Sequence, residues 1–282
     1  MSAADTPFAD WIGRREVVED EATRWPVTAL AATLDVPCSA SSRGDPMPPG
    51  WHWLYFLEAK RPSELGPDGH PRRGGFLPPV PLPRRMWAGG RLAFHEPLRI
   101  GDPLERESEI VSITAKHGKT GQLVFVTVRH TVAAGGRLAV VEEHDIVYRE
   151  AAKPTDLPLQ PRPAPSSASW RREVAPDSVM LFRYSALTFN GHRIHYDLDY
   201  ARNEEHYPGL IVHGPLQTML MLELCRAHDV RPVKKLDYRA MHPIFHTERF
   251  TVNGNIQADH ERAEVWTASA AGTCAMAGTA QF

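Results

Sequence analysis

The sequence predicts an α+β fold organised as two halves, and three features carry that reading. Between Lys153 and Pro165, proline recurs at 154, 158, 161, 163 and 165, and Ser166, Ser167 and Ser169 follow. Proline at that density removes backbone donors and prevents both helix and sheet. Residues 153–169 therefore read as a linker between a first domain, 1–152, and a second, 170–282. On both sides, β-branched and aromatic runs bounded by turn residues have the spacing of antiparallel strands. One stretch, Pro215 to His228, is apolar on nearly every side, as a helix wrapped by other structure would be.

The first half opens with a helical candidate, Asp20 to Leu34, interrupted by Pro26. Strands are expected at the aromatic-rich Trp51 to Leu57 and at Glu105 to Ala115. A further strand is expected at Gln122 to Val132, where Val124, Val126 and Val128 share one face, and another at Arg137 to Tyr148. Gly135-Gly136 marks the turn between the last two. The proline-rich Pro78 to Pro83 reads as a loop crossing the surface.

The second half repeats the outline. A strand is expected from Val179 to Ser185, then a polar loop, then the apolar helix, with Pro215 in the first turn where a missing N–H costs nothing. Strands return at Lys234 to Ala240, Glu248 to Ile256 and Glu261 to Ala270.

Composition narrows the function classes. Hydrophobic residues at 42% and charged residues at 23% are the balance of a globular protein, and a net charge of −2 argues against nucleic-acid binding. No apolar run is long enough to cross a bilayer, so no membrane partner is expected. Met1 to Asp10 is polar and acidic, without the basic start and apolar core of a signal peptide. Cys38, Cys225 and Cys274 form no CxxC pair, so neither zinc, redox chemistry nor a disulfide framework is implied, and a reducing cytoplasm fits.

The chemistry concentrates after residue 184. Tyr184 to Asp197 is dense in polar groups and contains Asn190-Gly191-His192-Arg193-Ile194-His195, and eighteen residues after His195 comes His213-Gly214 at the start of the apolar helix. This pairing resembles the MaoC-like hydratases, in the branch of the type 2 hydroxyacyl-thioester dehydratases, whose pattern is D-x-N-P-x-H followed by H-G. The N-terminal segments Arg84-Arg85-Met86-Trp87-Ala88-Gly89-Gly90-Arg91 and Leu98 to Asp102 resemble the subgroup that hydrates mesaconyl-C4-CoA or itaconyl-CoA to citramalyl-CoA. The resemblance implies a double hotdog, each half a curved sheet around a central helix, with the first half completing the pocket of the second. It implies one site per chain, an acyl-CoA substrate, no further cofactor and no metal. The halves would form an intramolecular pseudo-dimer, with further homo-oligomerisation left open.

The motif departs from the family at Asn190, His192 and Arg193, which replace the aspartate, asparagine and proline. An amide cannot take a proton at neutral pH, so a simple Asp/His pair of acid and base is unavailable. A histidine with an ordinary pKa near about 6.5 suits proton transfer. His195 is therefore the expected proton carrier, and Asn190 the group that orients water. His192 is either a second proton carrier or a hydrogen-bond partner. Unpaired N–H groups near Gly214 would meet the thioester oxygen as it gains charge. His213, Arg193, Tyr184, Arg84 and Trp87 complete the expected substrate-binding set, Arg193 being either a carboxylate receptor or plain support for Asp197 or Asp199. The rivals are a 3-hydroxyacyl-ACP or -CoA dehydratase of fatty-acid metabolism and an inert acyl-thioester binding module.

Overall fold

The computed structural model describes residues 8–118, 121–151 and 161–282, so part of the expected linker, 153–160, lies outside the described residues. In chain order the elements are β1 (Arg15–Glu21), α1 (Arg24–Leu34), β2 (Arg84–Phe94), β3 (Pro103–Gly118), β4 (Gly121–Ala134) and β5 (Arg137–Arg149). They continue with β6 (Trp170–Val174), α2 (Ser178–Leu187), α3 (Leu198–Asn203), α4 (Gly214–His228), β7 (Lys235–Ala240), β8 (Phe250–Ile256), β9 (Arg262–Ser269) and β10 (Cys274–Gln281).

The ten strands make one sheet in the order β1-β3-β4-β5-β2-β7-β10-β9-β8-β6. Each half uses the same wiring, its first strand pairing with its third and its second closing the set beside its fifth. The halves meet where Gly89–Ala93 of β2 pairs antiparallel with Lys235–Arg239 of β7. This is a double hotdog. The β4–β5 hairpin turns through Gly135 and Gly136 at φ 56 and 77, the left-handed pair that a two-residue hairpin loop requires.

In the second half, α4 is buried from Leu216 to Cys225 and packs on β6, β8, β9 and β10. The first half departs from this. Between α1 and β2, where a central helix belongs, the chain makes two short 3-10 turns, Trp51–Leu54 and Pro62–Glu64, within a long irregular stretch. Trp51 donates from its indole to the buried Glu223 of α4 at 3.0 Å, so the first turn leans on the other half's helix. The inner face of the first sheet carries an apolar cluster of Ile110, Ile113, Val124, Val126, Val128, Ile146 and Tyr148, and the 76–82 segment covers it with Val80 and Leu82. Pro78 to Pro83 thus crosses the surface of this cluster as a loop, with Pro78, Val80 and Leu82 facing in and Pro79, Pro81 and Pro83 exposed, held by Arg73 donating to the carbonyls of Val80 and Pro83.

Two further expectations are corrected. Val179 to Ser185 is helical: Asp177 caps the first turn by accepting from the Met180 N–H, and Leu181, Tyr184 and Ser185 make its buried stripe. Trp51 to Leu57 is the 3-10 turn and its exit, because the two tryptophans point to Glu223 and Glu142 rather than to alternate sheet faces. In α1, Pro26 stands in the first turn and is tolerated there, and Val27, Leu30, Ala31 and Leu34 form the buried face. α1 packs against α2, so the halves touch on this layer too.

Because β7 is an inner strand only through β2, a fragment starting at Ser166 exposes one edge of β7 and the apolar surface around α4. It is expected to be insoluble or inactive, as judged by soluble yield, size-exclusion profile and turnover. A soluble monomeric fragment with full turnover contradicts this.

Candidate active site

The motif loop is built by local hydrogen bonds. The Asn190 N–H donates to Ser185 at the end of α2, and Asn190 Oδ1 accepts from the His192 N–H at 3.0 Å. That side-chain turn fixes the entry to a 3-10 turn at Arg193–His195. Asn190 therefore has one lone pair of its oxygen committed to the backbone, which leaves its NH2 and the other lone pair to meet a water.

The His195 Nδ1 lies 2.7 Å from the Ile211 carbonyl oxygen. A carbonyl only accepts, so the proton is on Nδ1 and Nε2 carries the lone pair, the tautomer a general base needs. The His213 ring stacks on it, centroids 3.7 Å apart, and His213 Nε2 is 2.9 Å from the Ser185 hydroxyl. His213 is fully buried with Nδ1 unpartnered. His192 lies edge-on to His195, with ring centroids 5.5 Å apart.

The first half brings in a dyad that the motif analysis missed. Asp68 Oδ2 accepts from His70 Nδ1 at 3.0 Å, and the His70 ring lies 4.2 Å from that of His192. The approach depends on two glycines. A Cβ on Gly69 would sit 1.9 Å from the Gly191 carbonyl oxygen, and one on Gly191 would sit 2.7 Å from that of Gly69. The Arg193 N–H closes the contact on the Asp68 carbonyl at 2.9 Å. A carboxylate absent from position 190 thus enters the site from the other half. Asp68, His70 and His192 are the one described cluster with ligand atoms close enough to hold a metal ion. Both Asp68 oxygens already accept from His70, through its N–H and Nδ1, which fits a hydrogen-bonded dyad better than a metal site.

Trp87 lies over the start of α4. A Cβ on Gly214 would meet Trp87 at 3.8 Å, the Trp87 indole donates to the Tyr238 hydroxyl at 2.9 Å, and its ring is 3.7 Å from His144. Pro215 has no N–H, so Gly214 and Leu216 supply the first-turn donors, which have no intrahelical acceptor. Behind Trp87 lies a buried polar band: Glu142 accepts from His52 Nε2 and Trp53 Nε1 at 3.0 and 2.9 Å, and His130 pairs with Ser108 at 2.9 Å.

Three expected contacts are made elsewhere. Arg193 binds Asp197 through Nε and Nη2, donates to the Pro67 carbonyl and covers the Tyr200 ring, so it fastens the loop instead of entering the site. Tyr184 is buried with its hydroxyl toward the Met219 sulfur, 3.7 Å away, and backs His213. Arg84 ion-pairs with Glu205 at 2.7 Å and donates to the Tyr207 hydroxyl, tying β2 to the segment after α3. Clefts of about 520 and 320 Å³ contain none of these histidines, so the chemistry, not an open cavity, marks the site.

Burial sets the charge state. It pulls His195 and His144 down to about 4 and His130 down to about 3, and it lowers His192, His213 and His70 as well. For Asp68, burial acts upward, but the hydrogen bonds from His70 outweigh it and the carboxyl is lowered. Burial likewise opposes the ionised Glu142, yet the His52 bond holds its carboxyl at about 2. The site is a set of neutral imidazoles beside carboxylates that are already hydrogen-bonded.

The family model and the relatives found by sequence agree on one family. The model of the hydroxyacyl-thioester dehydratase type 2 family matches residues 50–246. A protein of Chloroflexus aurantiacus named mesaconyl-C(4)-CoA hydratase is 50% identical over 87% of each chain. The mitochondrial hydroxyacyl-thioester dehydratase type 2 of Schizosaccharomyces pombe is 30% identical over 81% of this chain and 86% of its own. Among solved structures, a MaoC-like dehydratase from Phytophthora capsici superposes with a TM-score of 0.71 at 13% identity, covering 97% of both chains. A Mycobacterium tuberculosis protein described as a double hotdog fold gives 0.58 at 15% identity over 98% of both. At such identities these two structures speak to the fold alone.

Gly69→Ala places a methyl against the Gly191 carbonyl at a backbone φ of +87, so the two loops must part. The expected outcome is a protein with an unchanged far-UV spectrum and a kcat lowered by roughly 10-fold or more, since misplacing groups by about 1 Å costs on that order or beyond. Unchanged kcat would show that His70 need not approach His192.

The lowered histidines also predict acid sensitivity. The unfolded chain takes up protons as pH falls through about 6.5, whereas folded His195, His144 and His130 do so only near 4 or 3. Stability is therefore retained above pH 6.5 and falls between 6.5 and 4, each histidine adding a slope of about 1.4 kcal/mol per pH unit. Urea midpoints at pH 7.5, 6.5, 5.5 and 4.5 measure this, and His144→Phe is expected to flatten the decline. A wild-type profile that stays level down to pH 4.5 contradicts the lowered values.

Proposed function

The chain belongs to the hydroxyacyl-thioester dehydratase type 2 family, hence is a hydratase/dehydratase, and we propose that it adds water reversibly to a 2-enoyl-CoA, with mesaconyl-C4-CoA to citramalyl-CoA the best-fitting reaction. The observation that carries the chemistry is His195, its tautomer fixed by the Ile211 carbonyl, beside the first turn of α4. The substrate rests on the 50% identity to the named mesaconyl-C(4)-CoA hydratase. CoA is part of the substrate, and the side chains carry the chemistry without a further cofactor. Three free cysteines suit a reducing cytoplasm.

In this mechanism, His195 Nε2 takes a proton from water while the water oxygen bonds to the β-carbon. The π electrons move toward the thioester oxygen, which the Gly214 and Leu216 N–H groups meet at the positive end of α4. The imidazolium then delivers its proton to the α-carbon, so one water is consumed and the histidine returns neutral. A neutral imidazole with its pKa held below the ordinary value starts in the correct form at neutral pH. The Asn190 NH2 orients the water, and His192 with the Asp68–His70 dyad forms the wall opposite His195. His213 supports the His195 ring from behind.

A second reading is kept by the relation to the fungal mitochondrial dehydratase: dehydration of 3-hydroxyacyl thioesters with longer, unbranched chains. Mesaconyl-C4-, itaconyl- and crotonyl-CoA and a longer enoyl-ACP, each followed for water addition by mass spectrometry, separate the two. Mesaconyl-C4-CoA is expected to turn over fastest; preference for the long enoyl-ACP transfers the assignment to the second reading. His195→Gln is expected to keep the fold and to lower kcat by roughly 10²–10⁴-fold. Retention of more than about a third of wild-type kcat moves the proton transfer to another group.

A further inference from the structure

Strand β2 begins with two adjacent arginines, and neighbouring strand residues face opposite sides of the sheet. Arg84 is spent on Glu205 and Tyr207. Arg85 stands directly across from Tyr148 in the β2–β5 register, and cross-strand partners share a face. Tyr148 is fully buried on the inner face, with its hydroxyl unpartnered. Two residues on, Trp87 points to the same side and covers the Gly214 turn, its ring tilted against that of His144, whose Nε2 is also unpartnered. Arg85 therefore lies on the face that holds the site.

Its charge is felt by Asp68, His70 and His192 toward the motif loop, and by His144 and Tyr148 toward the first sheet. It approaches the Tyr148 hydroxyl without completing a hydrogen bond. Among the described residues it has no ion-pair partner. The anions that could have served are engaged: Asp68 by His70, and Glu142 by His52 and Trp53. A partly buried guanidinium without a carboxylate is costly unless an anion arrives to pair with it. CoA phosphates lie a full pantetheine length from the reacting carbons, so the missing anion belongs to the acyl group. In mesaconyl-C4-CoA the second carboxylate is attached to the β-carbon itself, the atom that must lie beside the histidines.

We infer that Arg85, with the Tyr148 hydroxyl, receives a carboxylate borne on the β-carbon of the substrate and makes the site selective for dicarboxylyl thioesters. This rests on the hydratase reading above and extends it to a specificity-determining residue, in the place that Arg193 was expected to fill.

The test compares wild type, Arg85→Met and Tyr148→Phe by calorimetric binding of citramalyl-CoA and 3-hydroxybutyryl-CoA, the products with and without the β-carboxylate. Arg85→Met is expected to weaken citramalyl-CoA about 30-fold or more, the effect of truncating one partner of a buried charge pair, and to leave 3-hydroxybutyryl-CoA within about 3-fold. Tyr148→Phe is expected to act in the same selective direction by about 5-fold. Equal losses for both ligands, or none for either, overturn the inference. If Arg85→Met does not fold, Tyr148→Phe decides by the same criterion. Wild type that hydrates no enoyl-CoA would sink the hydratase reading, whereas wild type that hydrates mesaconyl-C4-CoA beside an indifferent Arg85→Met sinks only the role of Arg85.

Discussion

The pairing of β2 with β7 joins two five-stranded sheets into one, and nearly every feature of the site hangs from it. Through that seam the inner face of the first sheet is carried over the N-terminus of α4. Trp87 can then cover Gly214 and bond Tyr238 of β7. The first half, by contrast, has no long central helix among the described residues. The turn at Trp51–Leu54 fills part of that place by leaning on Glu223, and the inner face behind Trp87 is given to polar groups. The two halves are equivalent in wiring and unequal in contents, which is how a pseudo-symmetric frame holds a single motif loop.

The electrostatics follow from burial. Imidazoles removed from water stay neutral, and their tautomers are then set by whichever neighbour can only accept: a carbonyl for His195 and a carboxylate for His70. Carboxylates removed from water survive as anions only where donors converge on them, as on Glu142. Proton acceptors are thereby kept in their basic form near the first-turn donors of α4. In the proposed mechanism the developing negative charge would meet a helix terminus, not a competing anion.

Much of this was legible in the sequence wherever a period repeats. The valines at 124, 126 and 128, the Gly135-Gly136 turn, and the mostly apolar run of Leu216 to Leu224 each force one local answer. Val179-Met180-Leu181-Phe182 did not, because four apolar residues in a row satisfy both periods, and only the Asp177 cap distinguishes the helix. The motif residues His195, His192, Asn190, His213 and Gly214 do come together, with Trp87 above them. Asp68 and His70 were invisible because they lie in an irregular stretch rich in glycine and proline. Their meaning arises only where Gly69 meets Gly191 across the halves. Of the two roles the sequence left open for Arg193, support is the one observed, because Asp197, one helical turn on, holds its guanidinium.

The place of β2 also imposes an order on synthesis. This strand ends at Phe94, yet one of its partners, β5, is complete only at Arg149 and the other, β7, only at Ala240. A chain emerging from the ribosome can therefore close the first sheet early, while the far edge of β2 stays unpaired through the translation of about another hundred residues. That edge carries Gly89 and Gly90, which are poor strand formers and weak templates for a wrong partner. Two glycines at this edge lower its tendency to pair with another copy of the chain before β7 arrives.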